Sequence, residues 1–236
     1  MGRRQTFYRS ERLGGLTDGV FAIALTLLVL ELKIPDNPNA DSSVLDVLVR
    51  DWETFAGWFI SFVILARLWM FQHHAAASAR FVSSRSIAIN FGFLAAVSLI
   101  PFTAHLVGLY ELSQPLVLQL FSGLIAVVSV MLGWFMRSVQ RDQVDLGRVS
   151  AESMAVTRDT IHHLLWVPLI AVVAIVASII DPRIGLTIWA VESMAMLVVF
   201  LRTRSDGDLH IYAPEDKVPD FAQTTKGDPN RGRPSC

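Results

Sequence analysis

The segment that decides the fold lies near the N-terminus and reads RLGGLTDGVFAIALTLLVL, residues 12–30. Its core, Val20 to Leu30, carries no charged residue and follows several arginines. Arginines ahead of an apolar run also occur in signal peptides, but no small-x-small cleavage motif follows here. Pro35 disfavours helix at the residue before it. The pattern therefore predicts a retained first membrane span over residues 16–32.

The rest of the chain is similarly apolar. Of its 236 residues, 53% are hydrophobic and 17% are charged, and the mean hydropathy is +0.47, whereas soluble proteins are about 25% charged. Charge-free runs lie between Arg85 and Glu111, between Glu111 and Arg137, and between Asp159 and Asp181. Each is long enough to cross a hydrocarbon core about 30 Å thick. This composition excludes soluble enzymes and nucleic-acid-binding proteins and predicts an all-α, multi-pass membrane protein.

Six hydrophobic segments predict six transmembrane helices. They cover about residues 16–32, 52–71, 87–109, 116–139, 161–180 and 184–201. We therefore expect residues 1–204 to form one six-helix membrane domain. Residues 205–236 are rich in Pro, Gly, Asp and Lys and lack apolar periodicity, which predicts a disordered cytoplasmic tail.

The distribution of Lys and Arg predicts the orientation. All but four of the 20 lie in the N-terminal arm, in the loops after the second and fourth segments, or in the tail. Lys33, Arg50 and Arg183 fall on the opposite side, and Arg67 lies inside the second segment. Because positive charge concentrates on the cytoplasmic side, both termini are expected in the cytoplasm of a cell with the protein in its plasma membrane.

A few ionisable residues lie within the segments and are functional candidates because they are costly in lipid. Arg67 stands near the end of the second segment, so we expect its guanidinium to snorkel to the interface. Glu192 lies nearer mid-span, and is either a proton or cation site or a group hydrogen-bonded within the bundle. His105 is expected to be a packing residue. No metal site is expected, since the adjacent histidine pairs lack helical spacing and Cys236 is the only cysteine.

Two stripes run along the first segment at about 100° per residue. One comprises Gly19, Ile23, Thr26 and Leu30, with Leu27 beside it; the other comprises Asp18, Ala22, Leu25 and Val29. By composition alone, the aliphatic stripe is what any lipid-facing helix would show. Periodicity therefore leaves its role open.

Residues 12–19 resemble the signature of the transmembrane protein 175 family, the lysosomal potassium channels and their bacterial relatives. That signature is Arg-x-x-x-Phe-Ser-Asp-Gly followed by a Val-Phe-Ala-Ile-type run; here Leu16 and Thr17 replace its Phe and Ser. The further matching positions are Ser61, Trp69, His73, Asn90 and the triplet Pro101, Phe102, Thr103. The chain is thus similar to bacterial members over its first three segments, and over the last three in hydropathy and length.

The resemblance implies a homotetramer of six-helix subunits whose first helices line a central pore. It implies an aliphatic constriction formed by Ile23, Leu27 and Leu30, with Thr26 also near the pore. It further implies a polar network that supports the first helix. The expected members of that network are Arg12, Thr17, Asp18, Gly19, Trp69, His73 and Asn90. Arg12 can pair with Asp18, six residues later, only if the start of the helix bends.

The resemblance and the stripe together favour a potassium-permeable cation channel with weak preference for potassium over sodium, because sodium holds its water more strongly and a narrow aliphatic ring offers no replacement. The expected partners are potassium ions, the lipid bilayer and further copies of the chain. The alternative is a proton-coupled secondary transporter that uses Glu192 or Asp18. Broken helices and paired half-repeats would favour it, and the sequence has no convincing repeat. No catalytic constellation is present, so neither an enzyme nor a cofactor is expected.

Overall fold

The computed structural model describes residues 7–30, 52–77, 79–110, 114–147 and 151–205, together with residues 32, 45 and 49. Within 151–205, side chains are described at residue 161 and over 164–199. The tail predicted to be disordered is residues 205–236. Of these, residues 206–236 lie outside the described part of the chain. Residues Met1–Leu197 form one compact unit and Val198–Cys236 a second, of which the described part is helical.

Within the described residues the chain forms two short strands and seven helices. They are β1 (Phe7–Arg9), α1 (Glu11–Val29), α2 (Trp52–Ala77), β2 (Phe81–Ser83), α3 (Ser84–Val97), α4 (Ile100–Leu109), α5 (Pro115–Asp145), α6 (Ala151–Ile180) and α7 (Pro182–Ser205). Five spans are long and apolar enough to cross a membrane, namely α1, α2, the α3–α4 pair, α5 and α7. The fifth predicted segment, residues 161–180, corresponds to a shorter apolar stretch of α6, Leu164–Ile180. The helical membrane fold predicted from hydropathy is thus confirmed.

Several helices extend beyond their predicted apolar segments, among them α1 and α5. Helix α1 begins at Glu11, ahead of the predicted start at residue 16, and α5 continues to Asp145. It ends there because Gly147 adopts a φ of 67° and donates its N–H to the Val144 carbonyl at 2.9 Å. This left-handed conformation after a helix favours glycine.

The third span consists of two helices with a kink between them. Helices α3 and α4 are separated by Ser98 and Leu99, just ahead of Pro101, which has no N–H to donate. Backbone hydrogen bonds nevertheless continue across the kink, from Ser98 to the Leu94 carbonyl at 3.0 Å and from Thr103 to the Leu99 carbonyl at 3.1 Å. The third span is therefore one kinked helix rather than two separated half-helices.

The core is centred on α5, which packs against α2, α3, α4 and α6. Helix α7 joins it through the fully buried Trp189, which donates Nε1–H to the Ser122 hydroxyl at 2.9 Å and meets the Phe121 ring edge-on. At Gly185 a side chain would come within 2.9 Å of the Ala174 carbonyl. The glycine therefore allows the start of α7 to approach α6 closely.

A small antiparallel hairpin ties the N-terminal arm to the segment between α2 and α3. Strand β1 pairs with β2 in the register Phe7↔Ser83, Tyr8↔Val82 and Arg9↔Phe81. The next residue, Ser10, donates its N–H to the Arg80 carbonyl at 3.2 Å and its hydroxyl to the Ala79 carbonyl. Helix α1 therefore starts from a fixed point on the body of the protein.

Candidate ion pathway and its polar support

Helix α1 has one packed face and one open face. The packed face contacts α2, α3 and α4 and consists of Leu13, Thr17, Phe21, Ala24 and Leu28. The predicted pore stripe lies on the open side, where Ile23 is 61% exposed, Leu30 65% and Leu27 42%. The structure thus places all three aliphatic residues away from the packed face of their own protomer.

The open face of α1 differs in composition from the lipid-facing side of another span. Beside its aliphatic stripe it carries small and polar residues, namely Gly15, Gly19, Ala22 and Thr26. The exposed residues of α6 include the large apolar side chains of Leu165, Trp166, Leu169 and Val172. A side chain at Gly15 or Gly19 would meet no atom of the described protomer within 4 Å. Small residues on an open face allow another helix to come close in lipid.

Thr26 lies between Ile23 and Leu30 on this open face. Its hydroxyl hydrogen is directed at its own helix, since Oγ1 lies 3.0 Å from the Ala22 carbonyl and 2.9 Å from the Ile23 carbonyl. With the hydrogen used in this way, the hydroxyl oxygen is left as an acceptor toward the open side.

Thr17 is the centre of a buried polar cluster that joins α1 to α2 and α3. Its hydroxyl donates to the Leu13 carbonyl at 2.9 Å and accepts from Asn90 Nδ2 at 3.1 Å. Gln72 Nε2 lies 3.4 Å from Thr17 Oγ1 and 3.4 Å from Asn90 Oδ1. Thr17, Gln72 and Asn90 are all buried. The cluster therefore fixes the rotation of α1 about its axis.

Asp18 makes a second link to α2, at the edge of the packed face. Trp69 donates Nε1–H to Asp18 Oδ1 at 2.8 Å, and His73 Nδ1 lies 4.0 Å from the same oxygen. The Trp69 and His73 rings lie against each other, with centroids 5.2 Å apart. The structure thus brings Asp18, Trp69 and His73 together.

The structure leaves two predicted network residues apart from these clusters. Arg12 is exposed and lies within the regular helix α1 rather than ahead of a bend. Six residues of helix rotate Arg12 about 120° from Asp18, so the bend required for their pairing within one protomer is absent. Gly19 lies on the open face.

The expectation that Arg67 snorkels is wrong. Arg67 Nη1 donates to Glu192 Oε1 on α7, and both side chains are largely buried. The Arg67 guanidinium also lies over the Phe71 ring, 5.5 Å from its centroid. Of the two interpretations of Glu192, the structure supports a group bonded within the bundle.

Sequence reasoning missed two residues that belong to the support of α1. Gln72 is a polar residue at the end of an apolar segment, which is a signal of a buried hydrogen-bonding role. In this segment its titratable neighbour His73 was considered instead. Ser10 had no such signal, because a serine before a helix is ordinarily a cap for that helix. Only the fold shows that its hydroxyl reaches Ala79 instead.

Comparisons with known proteins cover different parts of the chain. Residues 12–101 match the sequence profile of a family described as endosomal/lysosomal potassium channel TMEM175. Proteins named as potassium channels from Streptomyces collinus and Chryseobacterium sp. are 28% identical over 101 residues and 31% identical over 103 residues. The alignments cover 43% and 44% of this chain. The chain spans about half the length of these curated relatives, 48% and 51%.

The fold is similar to the crystal structure of a lysosomal potassium-selective channel TMEM175 homolog from Chamaesiphon minutus. The TM-score is 0.64 at 21% identity, over 80% of this chain and 96% of that one. The profile match ends in the third span, so the shared fold of the later spans rests on this structural likeness.

Proposed function

We propose that the chain is a member of the TMEM175 family and that it is a potassium channel, which the profile match, the relatives and the shared fold support. The family and the relatives are channels, which agrees with the expectation that the chain is not an enzyme. The observation that carries the proposal is the open aliphatic stripe of Ile23, Leu27 and Leu30 on a helix whose opposite face is packed.

We propose that four copies assemble with the open faces of their α1 helices around a central axis. The open space at Gly15 and Gly19 supports this arrangement, because it lets neighbouring helices approach near the start of α1. In the proposed channel both termini lie in the cytoplasm and the protein resides in the plasma membrane. This orientation follows from the distribution of Lys and Arg.

In this assembly Ile23, Leu27 and Leu30 form successive aliphatic rings over about 10 Å of pore, at 1.5 Å per residue. Such rings offer no oxygen to replace lost water, so passage favours the ion that is dehydrated more easily. Potassium is that ion, and the preference over sodium is weak because no ring of carbonyl groups binds it. Thr26 supplies the polar group between these rings, through the acceptor described above.

The polar clusters give the stripe a defined direction. Thr17 is held by Asn90 and Gln72, and Asp18 by Trp69. Because both links act on the packed side of α1, they resist rotation of the helix and keep Ile23 facing the axis.

The transporter alternative gains no specific support. Glu192 is engaged by Arg67 and Asp18 by Trp69, so each carboxylate already has a protein partner. The kink in the third span retains its backbone hydrogen bonds. Ion flux with and without a pH gradient therefore separates a carrier from a channel.

Ion flux from liposomes that hold the purified protein tests the proposal. We expect potassium flux without a pH gradient, exceeding sodium flux, and we expect Ile23→Ala to lower the potassium-to-sodium ratio. Val29→Ala is the matched control, since Val29 is also more than half exposed on α1 but lies about a third of a turn from the stripe. It should leave the ratio unchanged.

Flux that requires a pH gradient would show that the protein is a carrier rather than a channel. If Ile23→Ala and Val29→Ala changed the potassium-to-sodium flux ratio equally, the constriction would not lie on the stripe. The protein would still be a channel.

A further inference from the structure

Asp142 is a buried carboxylate at the C-terminal end of α5 that the proposed function does not use. It is 3% exposed. Its Oδ2 accepts the Ser83 N–H at 2.8 Å and the Ser86 hydroxyl at 2.6 Å, and Ser86 Oγ lies 2.8 Å from Ser138 Oγ. Ser83 is the N-cap of α3, where free N–H groups and the helix dipole favour a negative charge.

Two consecutive residues of α5 hold strand β2 at both of its ends. Asp142 accepts the N–H of Ser83, the last residue of β2. Gln143 donates Nε2–H to the carbonyl of Phe81, the first residue, at 2.9 Å. The position of β2 is therefore set by the fourth span.

Strand β2 in turn holds the start of α1. It pairs with β1, and the residue after β1 is Ser10, the N-cap of α1. The Ser10 side chain makes no capping bond to its own helix and binds the Ala79 carbonyl instead. An unbroken series of hydrogen bonds thus runs from α5 through β2 and β1 to the helix that carries the aliphatic stripe.

We propose that Asp142 is a positioning residue for the ion pathway, which fixes the start of α1 through β2, β1 and Ser10. This inference rests on the proposed role of α1 as the pore helix. The carboxylate is needed because its loss would leave the Ser83 N–H without its acceptor in a buried site. The two three-residue strands are too short to hold their pairing without that anchor.

Amide hydrogen exchange of the full chain tests the link itself. In Asp142→Ala we expect exchange at residues 7–9 and 81–83 to accelerate about tenfold, as loss of one buried anchor would produce. Asp145→Ala is the matched control, because Asp145 lies on the same helix and is exposed; its exchange should match wild type. Asp142→Asn keeps one acceptor oxygen and should give a smaller acceleration, and it replaces the alanine variant if that variant does not fold.

Ion flux tests the consequence for the pathway. We expect Asp142→Ala and Ser10→Ala each to lower the potassium-to-sodium flux ratio, because a released helix no longer holds its rings in register. The flux ratio of the double variant should be no lower than that of the more affected single variant, because both substitutions act through the same series of hydrogen bonds. If Asp142 had only a general structural role, the effects of Asp142→Ala and Ser10→Ala on the flux ratio would multiply in the double variant.

Unchanged exchange at residues 7–9 in Asp142→Ala, equal acceleration in Asp145→Ala, or multiplying effects on flux would each overturn the proposal. If wild-type protein carries no potassium flux, the proposed function fails, while hydrogen exchange still decides whether Asp142 fixes the start of α1.

Discussion

Thr17 shows how one hydroxyl can join three helices. It belongs to α1 and meets Gln72 of α2 and Asn90 of α3 in a buried site. In Thr17→Val both amide donors lose this acceptor, and we expect a loss of about 1–3 kcal/mol in the free energy of unfolding. Thermal unfolding in detergent measures it.

Thr26→Val is the matched control for that change. It removes the same atom from the same helix, but the Thr26 hydroxyl is exposed and, among the described residues, bonds carbonyls of its own helix. We expect a smaller change in unfolding temperature than for Thr17→Val. Equal losses would show that Thr17 contributes no more than a local helix contact.

Arg67 and Glu192 form a pair whose two halves depend on each other. Arg67→Met leaves the Glu192 carboxylate buried without its cation, which costs about 3–5 kcal/mol for a buried pair. Arg67→Met combined with Glu192→Gln should recover most of that stability, because no unpaired charge remains. The folded fraction after heating, followed by gel filtration, measures both variants, and losses that simply add would contradict the pairing.

The sequence predicted part of this residue-scale picture. The motif at residues 12–19 indicated that Thr17 and Asp18 support the first helix, and Trp69, His73 and Asn90 were expected beside them. It could not indicate that Arg67 meets Glu192, because the partners lie on the second and last spans and neither position shows a local pattern. When the second span is considered alone, Arg67 near its end is expected to snorkel to the interface.

At the scale of elements, the start of α7 depends on a close approach to α6. Gly185→Ala would place a methyl group within 2.9 Å of the Ala174 carbonyl, and we expect a loss of about 1–3 kcal/mol from the resulting overpacking. Gly123→Ala on α5 is the control, because a side chain there meets nothing within 4 Å. Unfolding temperatures that fall equally in both variants would show that helix separation at Gly185 is not the cause.

Hydropathy located the spans but not the elements that connect them. Helices α1 and α5 extend past their apolar segments because charged residues outside lipid continue a helix without any hydropathy signal. Strands β1 and β2 have three residues each, too few for an alternating pattern to indicate a strand. Their pairing became visible only with α2 and α3 in place.

At the scale of the whole molecule, the ends predicted to face the cytoplasm meet one another. The start of α1, the end of α2, the start of α3 and the end of α5 are joined by hydrogen bonds at one end of the bundle. The starts of α2 and α7 meet elsewhere, through Arg183 Nε and Glu53 Oε1 at 3.1 Å. This alternation of ends is what antiparallel packing of successive spans produces.

The single cysteine, Cys236, makes the orientation testable. With the C-terminus in the cytoplasm, a membrane-impermeant maleimide should label Cys236 only after cells are permeabilised. Lys33→Cys in a Cys236→Ser background provides the control, since the loop after the first span should be labelled in intact cells. Labelling of Cys236 in intact cells would reverse the predicted orientation.

The sequence by itself determined that the chain is a helical membrane protein and that its first spans are similar to those of the TMEM175 family. Hydropathy is a local property, since each apolar run must satisfy its own backbone within lipid, and the motif of residues 12–19 is contiguous. The tertiary structure decided which face of α1 is open, that Arg67 is paired with Glu192, and that Asp142 holds β2. Those features depend on contacts between residues far apart in the chain, which become neighbours only when the helices have packed.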